Sequence, residues 1–228
     1  MDFIYIFIIL ICIAILYKYA ENSTYAVVYT KSTVNGKTYL VRNLPDKDKA
    51  ADLLAHLNNT FDEVIGYLKQ QEKITLYKLY VVKDRTLTLD KLNDKHNINM
   101  KKQYNTFCED IDRLISNYRT DSLSENTPDS AYTAYSENKG QKIVFCLRDK
   151  QTDALVDLNT MTFVALHELS HLMTKTIGHG QDFWDNFRII LRIGIRNGVY
   201  TCVDYNKNHE MYCGTNITDN PIKCGDVI

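Results

Sequence analysis

The pattern of apolar and polar positions first separates an apolar N-terminal segment from the rest of the chain. Residues 3–19 form an almost unbroken apolar run. Behind it, residues 24–30 and 37–42 are rich in β-branched and aromatic side chains and flank Asn35-Gly36, a dipeptide typical of tight turns. The sequence therefore predicts a hydrophobic helix that is followed directly by a β-hairpin.

Apolar residues recur at helical spacing in four later segments, residues 45–68, 104–118, 160–177 and 183–195. Asn159 or Thr160 is expected to cap the third of these helices, and Asp182 the fourth. Residues 131–135 and 142–148 are predicted to be strands. The third helix therefore follows a pair of strands, and a second helix follows it.

In several stretches the apolar residues follow neither a helical nor a strand-like spacing. Residues 74–89 are ambiguous between helix and strand, whereas residues 90–103 and 119–130 are polar and are predicted to be loops. The tail, residues 199–228, has little regular pattern. The sequence therefore assigns no helix or strand to these parts of the chain.

Composition indicates one globular domain. The chain has 228 residues, of which 45% are apolar and 24% are charged, and this is enough to bury a sizeable core. The formal net charge of -1 offers no basic face, so nucleic-acid binding is not indicated. Charge therefore points to no class of partner.

The apolar run over residues 3–19 reaches the lower length limit of a membrane-spanning helix. A cleaved signal peptide is the alternative, but the run lacks a basic leader, and Lys18 would stand where a small residue is needed before a cut after Ala20. We therefore expect a transmembrane anchor over residues 1–20, a globular domain over residues 21–228, and a single-pass membrane protein of undetermined orientation.

The six cysteines do not define a disulfide framework in a chain of this length. Cys12, Cys108 and Cys146 are expected to be small buried apolar side chains. The other three lie in the tail, at Cys202, Cys213 and Cys224. A disulfide or a second metal site remains open for these three, although they lack the close CxxC pairs of structural zinc sites.

The third helix contains the sequence His-Glu-Leu-Ser-His, an HExxH pattern. His167 and His171 lie one helical turn apart on the same face, so both imidazoles can reach one ion. Glu168 lies beside them and is placed to act as a general base rather than as a ligand. The pattern therefore predicts a zinc site with a base attached.

A third ligand is expected because catalytic zinc sites usually have three protein ligands and an open position. His179 is the candidate, but a continuous helix would carry it away from the ion. Gly178 can end the helix by adopting a left-handed conformation, and Gly180 lets the chain turn again. His179 is therefore predicted to fold back to the metal.

These residues resemble a known family. The HExxH motif, followed by His179 and then by Phe183-Trp184, is similar to the WLM and SprT-like zincin metallopeptidases. Residues 40–47, 134–148 and 212–221 resemble WLM-like proteins of large DNA viruses. One departure is the spacing of the third histidine, which follows the second by eight residues here and by six in many WLM sequences.

The resemblance implies an α+β, zincin-like fold of the minimal gluzincin type, with a small sheet packed on the HExxH helix behind the N-terminal transmembrane helix. It implies a strand that borders the cleft and pairs with substrate, for which residues 143–148 are the candidate. Tyr212, in a Tyr-Cys-Gly motif, is the candidate to stabilise the oxyanion.

We therefore expect a membrane-anchored zinc metallopeptidase that acts on proteins or peptides. In it, Zn²⁺ is held by His167, His171 and His179, and Glu168 is the base. The alternative is a membrane-tethered structural protein, such as a virion component in contact with other virion proteins, that keeps zinc for folding. An intact Glu168 argues against this alternative, because a structural site does not need it.

Overall fold

The computed structural model describes residues 2–25, 27–137 and 140–226. Within these ranges the helices are α1 (Asp2–Tyr25), α2 (Lys47–Gln70), α3 (Lys73–Tyr77), α4 (Leu89–Asn93), α5 (Ile98–Asn117), α6 (Leu158–Met173) and α7 (Gln181–Arg196). A π-helical turn, Lys78–Val82, continues α3, and a 3-10 turn occupies Cys224–Asp226. The strands are β1 (Val27–Lys31), β2 (Thr38–Arg42), β3 (Leu123–Glu125), β4 (Ala134–Glu137), β5 (Lys142–Phe145), β6 (Glu210–Tyr212) and β7 (Thr215–Ile217).

Five strands form one mixed sheet in the order β1-β2-β3-β5-β4. The predicted N-terminal hairpin is confirmed, since β1 and β2 pair antiparallel and Gly36 in their turn has a φ of +72°. β2 and β3 are parallel, as are β3 and β5, whereas β4 pairs antiparallel with β5. β4 is therefore an edge strand, while β5 is paired on both sides.

Helix α6 lies at the centre of the hydrophobic core. It packs against α2, α5 and α7, and Leu166, Leu169 and Met173 are fully buried. The packing between α6 and α7 is close at Gly194, where an added Cβ atom would come within 2.8 Å of Leu166. The helix that carries the HExxH motif is therefore surrounded by other elements, which fix the orientation of its side chains.

The predicted fold class is corrected. The structure is a mixed α/β fold with seven α-helices and a five-stranded sheet in the described ranges, rather than a small sheet behind a membrane helix. The helices α2 to α5 lie between the parallel strands β2 and β3, because a parallel connection needs a long crossover. Helices and strands are therefore interleaved along the chain.

Residues 3–19 are helical, as predicted, within α1. Among the residues described, however, no helix is both long enough and apolar enough to cross a bilayer. The predicted transmembrane anchor and the single-pass membrane localisation are therefore wrong.

Strand β3 lies within residues 119–130, which were expected to form a loop. Its polar sequence is buried because Glu125 accepts hydrogen bonds from the backbone N–H of Arg42, at 2.7 Å, and from Nε of Arg148, at 2.8 Å. Arg148 also forms an ion pair with Asp46 at 2.8 Å. A buried ionic network thus takes the place of the apolar side chains from which strands are recognised.

The other polar stretch, residues 90–103, was also wrongly assigned to a loop. It contains most of α4 and the first turns of α5, which begins at Ile98. The buried residues of α5 start only at Phe107, so its first turns show no apolar stripe. Residues 74–89, which were ambiguous, form α3 and the π-helical turn at their beginning.

Two disulfides tie the tail to the body of the protein. Cys146, which was expected to be a free buried thiol, is bonded to Cys213, and Cys202 is bonded to Cys224. The tail cysteines were expected to form either a disulfide or a second metal site, and the structure shows that they form disulfides. Cys108 is a free thiol and is partly buried.

Candidate metal centre

Helix α6 presents His167 and His171 one turn apart. Their Nε2 atoms are 3.2 Å apart. The helix begins after Asp157, whose carboxylate accepts hydrogen bonds from the backbone N–H groups of Asn159 and Thr160. The predicted cap at Asn159 or Thr160 is therefore wrong by two or three residues, because the acidic side chain before them satisfies the free N–H groups.

His179 folds back to the same point from the loop behind α6. The helix ends at Met173, with Thr174 as its C-cap, so Gly178 does not end it as expected. Gly178 instead has a φ of +87° within the loop, where it turns the chain toward the histidines. The Nε2 atoms of His179 and His167 are 3.1 Å apart.

The three imidazoles have the geometry of a metal-binding set. Their ligand atoms all lie within 4.8 Å of one another. The Nε2 atom of His167 lies close to both of the others, yet one nitrogen offers either a single proton or a single lone pair, so it cannot satisfy both contacts by hydrogen bonds. Tetrahedral zinc with Zn–N bonds of roughly 2.0–2.1 Å separates its nitrogen ligands by about 3.3 Å, close to the separations of the two pairs that include His167.

The buried environment keeps the imidazoles of His167 and His171 neutral. Burial, reinforced by the charges of His171 and His179, lowers the pKa of His167 to about 3. Burial and the charge of His179 lower the pKa of His171 to about 4. Neutral imidazole is the form that binds a metal ion. The two histidines of α6 are therefore in the metal-binding form at neutral pH.

A single aromatic ring at the start of α7 contacts all three imidazoles. Phe183 stacks on His171 with the ring centroids 4.3 Å apart, and its centroid lies 4.8 Å from that of His167 and 4.7 Å from that of His179. The Phe183 ring is fully buried. The cap predicted at Asp182 is wrong, because α7 begins after Gly180. The carboxylate of Asp182 instead accepts a hydrogen bond from the hydroxyl of Thr176.

Glu168 lies in the same site without joining the histidine cluster. Its side chain is 5% exposed, and it lines the two cavities that flank the imidazoles. Burial raises the pKa of its carboxyl to about 8. A cation held by the histidines would oppose this rise, because it favours the charged carboxylate. Within the described ranges, no group donates a hydrogen bond to this carboxyl.

Tyr212 also reaches the site, from β6 in the tail. Its ring lines a cavity together with Glu168 and His167. Burial, and next the charge of Glu168, raise the pKa of the Tyr212 phenol. Its hydroxyl donates a hydrogen bond to the backbone carbonyl of Thr133 at 3.1 Å. The role of Tyr212 as an oxyanion donor stays a prediction, and the same proton has a partner in the structure.

The strand that borders the site is β4, not the one expected. Residues 143–148 were predicted to pair with substrate, but β5 lies between β3 and β4 and has no free edge. The cavities on the two sides of the histidines are instead lined by Thr133, Ala134, Tyr135 and Ser136. The short edge strand β4 thus runs alongside the metal-binding set.

Sequence reasoning missed several residues of the site. Phe183-Trp184 was part of the motif behind the family resemblance, but the packing of Phe183 on the histidines was not predicted. The contribution of Ile217 to the cavity lining had no sequence signal. The Cys146–Cys213 disulfide, which anchors the chain next to Tyr212, also has no signal in the spacing of the cysteines. These contributions depend on contacts between segments that are distant in sequence.

Comparisons with known proteins find viral relatives. The chain is 28% identical over 211 residues to an uncharacterized protein of Acanthamoeba polyphaga mimivirus, covering 92% of both chains. It is 38% identical over 68 residues to an uncharacterized protein of Invertebrate iridescent virus 3, covering 29% of this chain and 42% of the relative. A third relative, from Invertebrate iridescent virus 6, is 36% identical over 69 residues, covering 29% of this chain and 38% of the relative.

No protein-family model and no solved structure matches the chain. The resemblance to WLM and SprT-like metallopeptidases therefore rests on the motifs and stays a prediction. The chain is similar to the mimivirus protein over almost its whole length, whereas the similarity to the two iridescent-virus proteins covers less than a third of it.

Proposed function

We propose that this chain is a zinc-dependent metallopeptidase, with His167, His171 and His179 as the zinc ligands and Glu168 as the general base. The observation that carries the proposal is the convergence of three imidazole nitrogens, with neighbouring pairs 3.2 and 3.1 Å apart, beside a buried carboxyl that is not one of them. In the described part of the chain this cluster has three candidate ligands. Structural zinc sites usually have four, and catalytic sites have three with an open position.

When bound, zinc supplies a Lewis acid that acidifies water and polarises the scissile carbonyl. Glu168 takes the proton of the attacking water at its carboxylate and passes that proton to the nitrogen of the leaving amine. No residue of the chain forms a covalent bond to substrate. Phe183 and Phe187 pack on the His167 ring and shield that side of the site from bulk water.

The free edge of strand β4 can pair with an extended substrate. In the described ranges no strand pairs with its outer edge, and this edge follows the cleft past His167 and Glu168. Backbone N–H and C=O groups along a free strand edge bind an extended peptide without requiring a particular side chain. A polypeptide laid along β4 would bring a peptide bond to the histidine cluster.

The experiment that tests the proposal compares the wild-type chain with Glu168→Gln. The substitution keeps the size of the side chain but removes the base, so turnover of denatured proteins should fall by about 10²- to 10⁴-fold. Zinc content should be unchanged, because Glu168 is not a ligand. A chelator should abolish the wild-type activity, and added zinc should restore it.

The contrary result is a folded, zinc-loaded wild-type protein that cleaves denatured substrates no faster than Glu168→Gln. The metal would then serve folding, as in the structural alternative.

A further inference from the structure

Where the chain leaves α6 toward His179, three polar side chains from different elements meet in a polar junction. They are Asp110 of α5, Thr174, which follows the last residue of α6, and Asn186 of α7. Each is at most 8% exposed. A polar side chain is costly to bury unless it is hydrogen-bonded, so the bonds of this polar junction show what it holds in place.

Asn186 is the centre of the polar junction. Its side-chain Nδ2 atom donates hydrogen bonds to the hydroxyl oxygen of Thr174 at 3.1 Å and to the carboxylate of Asp110 at 3.2 Å. These two bonds use both N–H groups of the amide. The hydroxyl of Thr174 in turn donates to the backbone carbonyl of Ser170, one turn earlier in α6, at 2.8 Å. Asn186 therefore joins α7 to the end of α6 and to α5.

Helix α5 also binds the end of α6 directly. The guanidinium of Arg113 pairs with Asp110 and donates a hydrogen bond to the backbone carbonyl of Met173 at 2.7 Å. The amide of Asn117 donates to the carbonyl of Leu172 at 3.3 Å. The last carbonyls of a helix have no partner within it, and a cation is favourable at this end. The end of α6 is therefore fixed from two sides, by α5 and by α7.

The polar junction holds both ends of the loop that carries the third histidine. His179 lies in this loop, residues 175–180, and every residue of the loop is exposed, so the core does not enclose His179. The loop begins behind Thr174 and ends where α7, with Asn186, begins. A shift of either end would move the Nε2 atom of His179, which lies 3.1 Å from that of His167.

We propose that Asn186 is a positioning residue for the third metal ligand. By its bond to Thr174 it fixes where the loop leaves α6, and its own place on α7 fixes where the loop ends. The Nε2 atom of His179 is thereby held at the metal-binding set, and Asp110 in turn holds Asn186. The proposal rests on the metal centre of the proposed function and adds the residues that set its affinity for zinc.

Thr174→Val tests the role of the polar junction, since valine has nearly the shape of threonine but can neither accept the bond from Asn186 nor donate to Ser170. In the full chain we expect the Kd for zinc to rise by about 10- to 100-fold, the range found when groups around metal ligands are lost. Thr174→Ser keeps the hydroxyl and should restore a Kd close to that of the wild type. Competition with a chromogenic chelator measures each Kd.

Thr162→Val is the matched control. Thr162 is also buried in α6, and its hydroxyl also donates to the backbone carbonyl four residues earlier, that of Leu158, at 2.7 Å. This bond lies within the first turns of α6, so the control should leave the Kd for zinc unchanged. Circular dichroism shows that each variant is folded at the temperature of the assay, so a general loss of stability does not enter the comparison.

A double-mutant cycle separates positioning from a general effect on the protein. If the polar junction acts through His179, Thr174→Val should have no further effect on the Kd once His179 has been replaced by alanine. Asp110→Asn keeps the shape of its side chain but loses the ion pair with Arg113. We expect it to cause a smaller, few-fold rise in Kd that also disappears with His179→Ala. This second variant decides the question if Thr174→Val does not fold.

Equal Kd values for Thr174→Val and Thr162→Val would overturn the positioning role, as would an effect of Thr174→Val that persists in full without His179. In either case the metal centre itself would stand. A wild-type chain that binds no zinc would overturn both the positioning role and the proposed function. The expected Kd values in a protein that cleaves no faster than Glu168→Gln would support the positioning role and count against the peptidase.

Discussion

At the level of single residues, the convergence of the three histidines could be predicted from the sequence, while the side chains that pack on them could not. The spacing of His167 and His171 defines one helical face, and Gly178 signals a turn that returns His179. Phe183 gives no such signal, because an apolar residue on a helix is usually a core residue. Its contact with all three imidazoles follows from how α7 docks on α6.

Replacement of Phe183 should weaken metal binding more than it weakens the fold. In Phe183→Leu the site stays apolar, but the flat ring that orients the imidazoles is lost. We expect the affinity for zinc to fall by about 10- to 100-fold, as for other losses around metal ligands. Competition with a chromogenic chelator measures this affinity.

Phe61→Leu is the matched control for Phe183→Leu. Phe61 is also fully buried, but its ring packs edge-on against Tyr118 and not against a histidine of the cluster. Both variants should lose about 1 kcal/mol of unfolding free energy. Equal zinc affinities in the two variants would show that Phe183 is an ordinary core residue.

At the level of secondary-structure elements, strands β4 and β5 were both predicted, but their roles were exchanged. The apolar sequence of β5 suggested an important strand, and it is apolar because both of its edges and its faces are covered. The more polar β4 lies at the edge and borders the cleft. Sequence patterns report burial, and they do not report the order of strands in a sheet.

The tail is the element about which the sequence says least. Its hairpin of β6 and β7 is held by the disulfide between Cys146 and Cys213, which lie 67 residues apart in the chain. Replacing both cysteines with alanine should lower the free energy of unfolding by about 2–4 kcal/mol. Denaturant unfolding measures this loss. Zinc content should not change, because the three histidines lie on α6 and the loop behind it.

The second disulfide allows the loss of unfolding free energy to be compared within the same protein. Cys202 and Cys224 are 22 residues apart, so the loop-closure entropy predicts a smaller loss, by about 1 kcal/mol, when this pair is replaced. Loss of zinc on removing the Cys146–Cys213 bond would mean that the tail supports the three histidines, contrary to their placement on α6 and the loop behind it.

For the molecule as a whole, the sequence indicated a mixture of helices and strands around one HExxH helix, but not the arrangement of the sheet. Strand β3 was missed because its buried Glu125 forms an ion pair with Arg148 and accepts a hydrogen bond from the backbone N–H of Arg42 in place of apolar contacts. The transmembrane prediction was wrong, since no helix in the described ranges is both long enough and apolar enough to cross a bilayer.

The zinc environment of the full-length chain tests the central claim most directly. X-ray absorption at the zinc edge should show one zinc per chain with three nitrogen ligands at about 2.0–2.1 Å and an additional oxygen. His179→Ala should lose one nitrogen from this shell, and His167→Ala should lose the metal. Sulfur ligands at about 2.3 Å, or an unchanged zinc content in His167→Ala, would contradict the assignment of the metal centre to His167, His171 and His179.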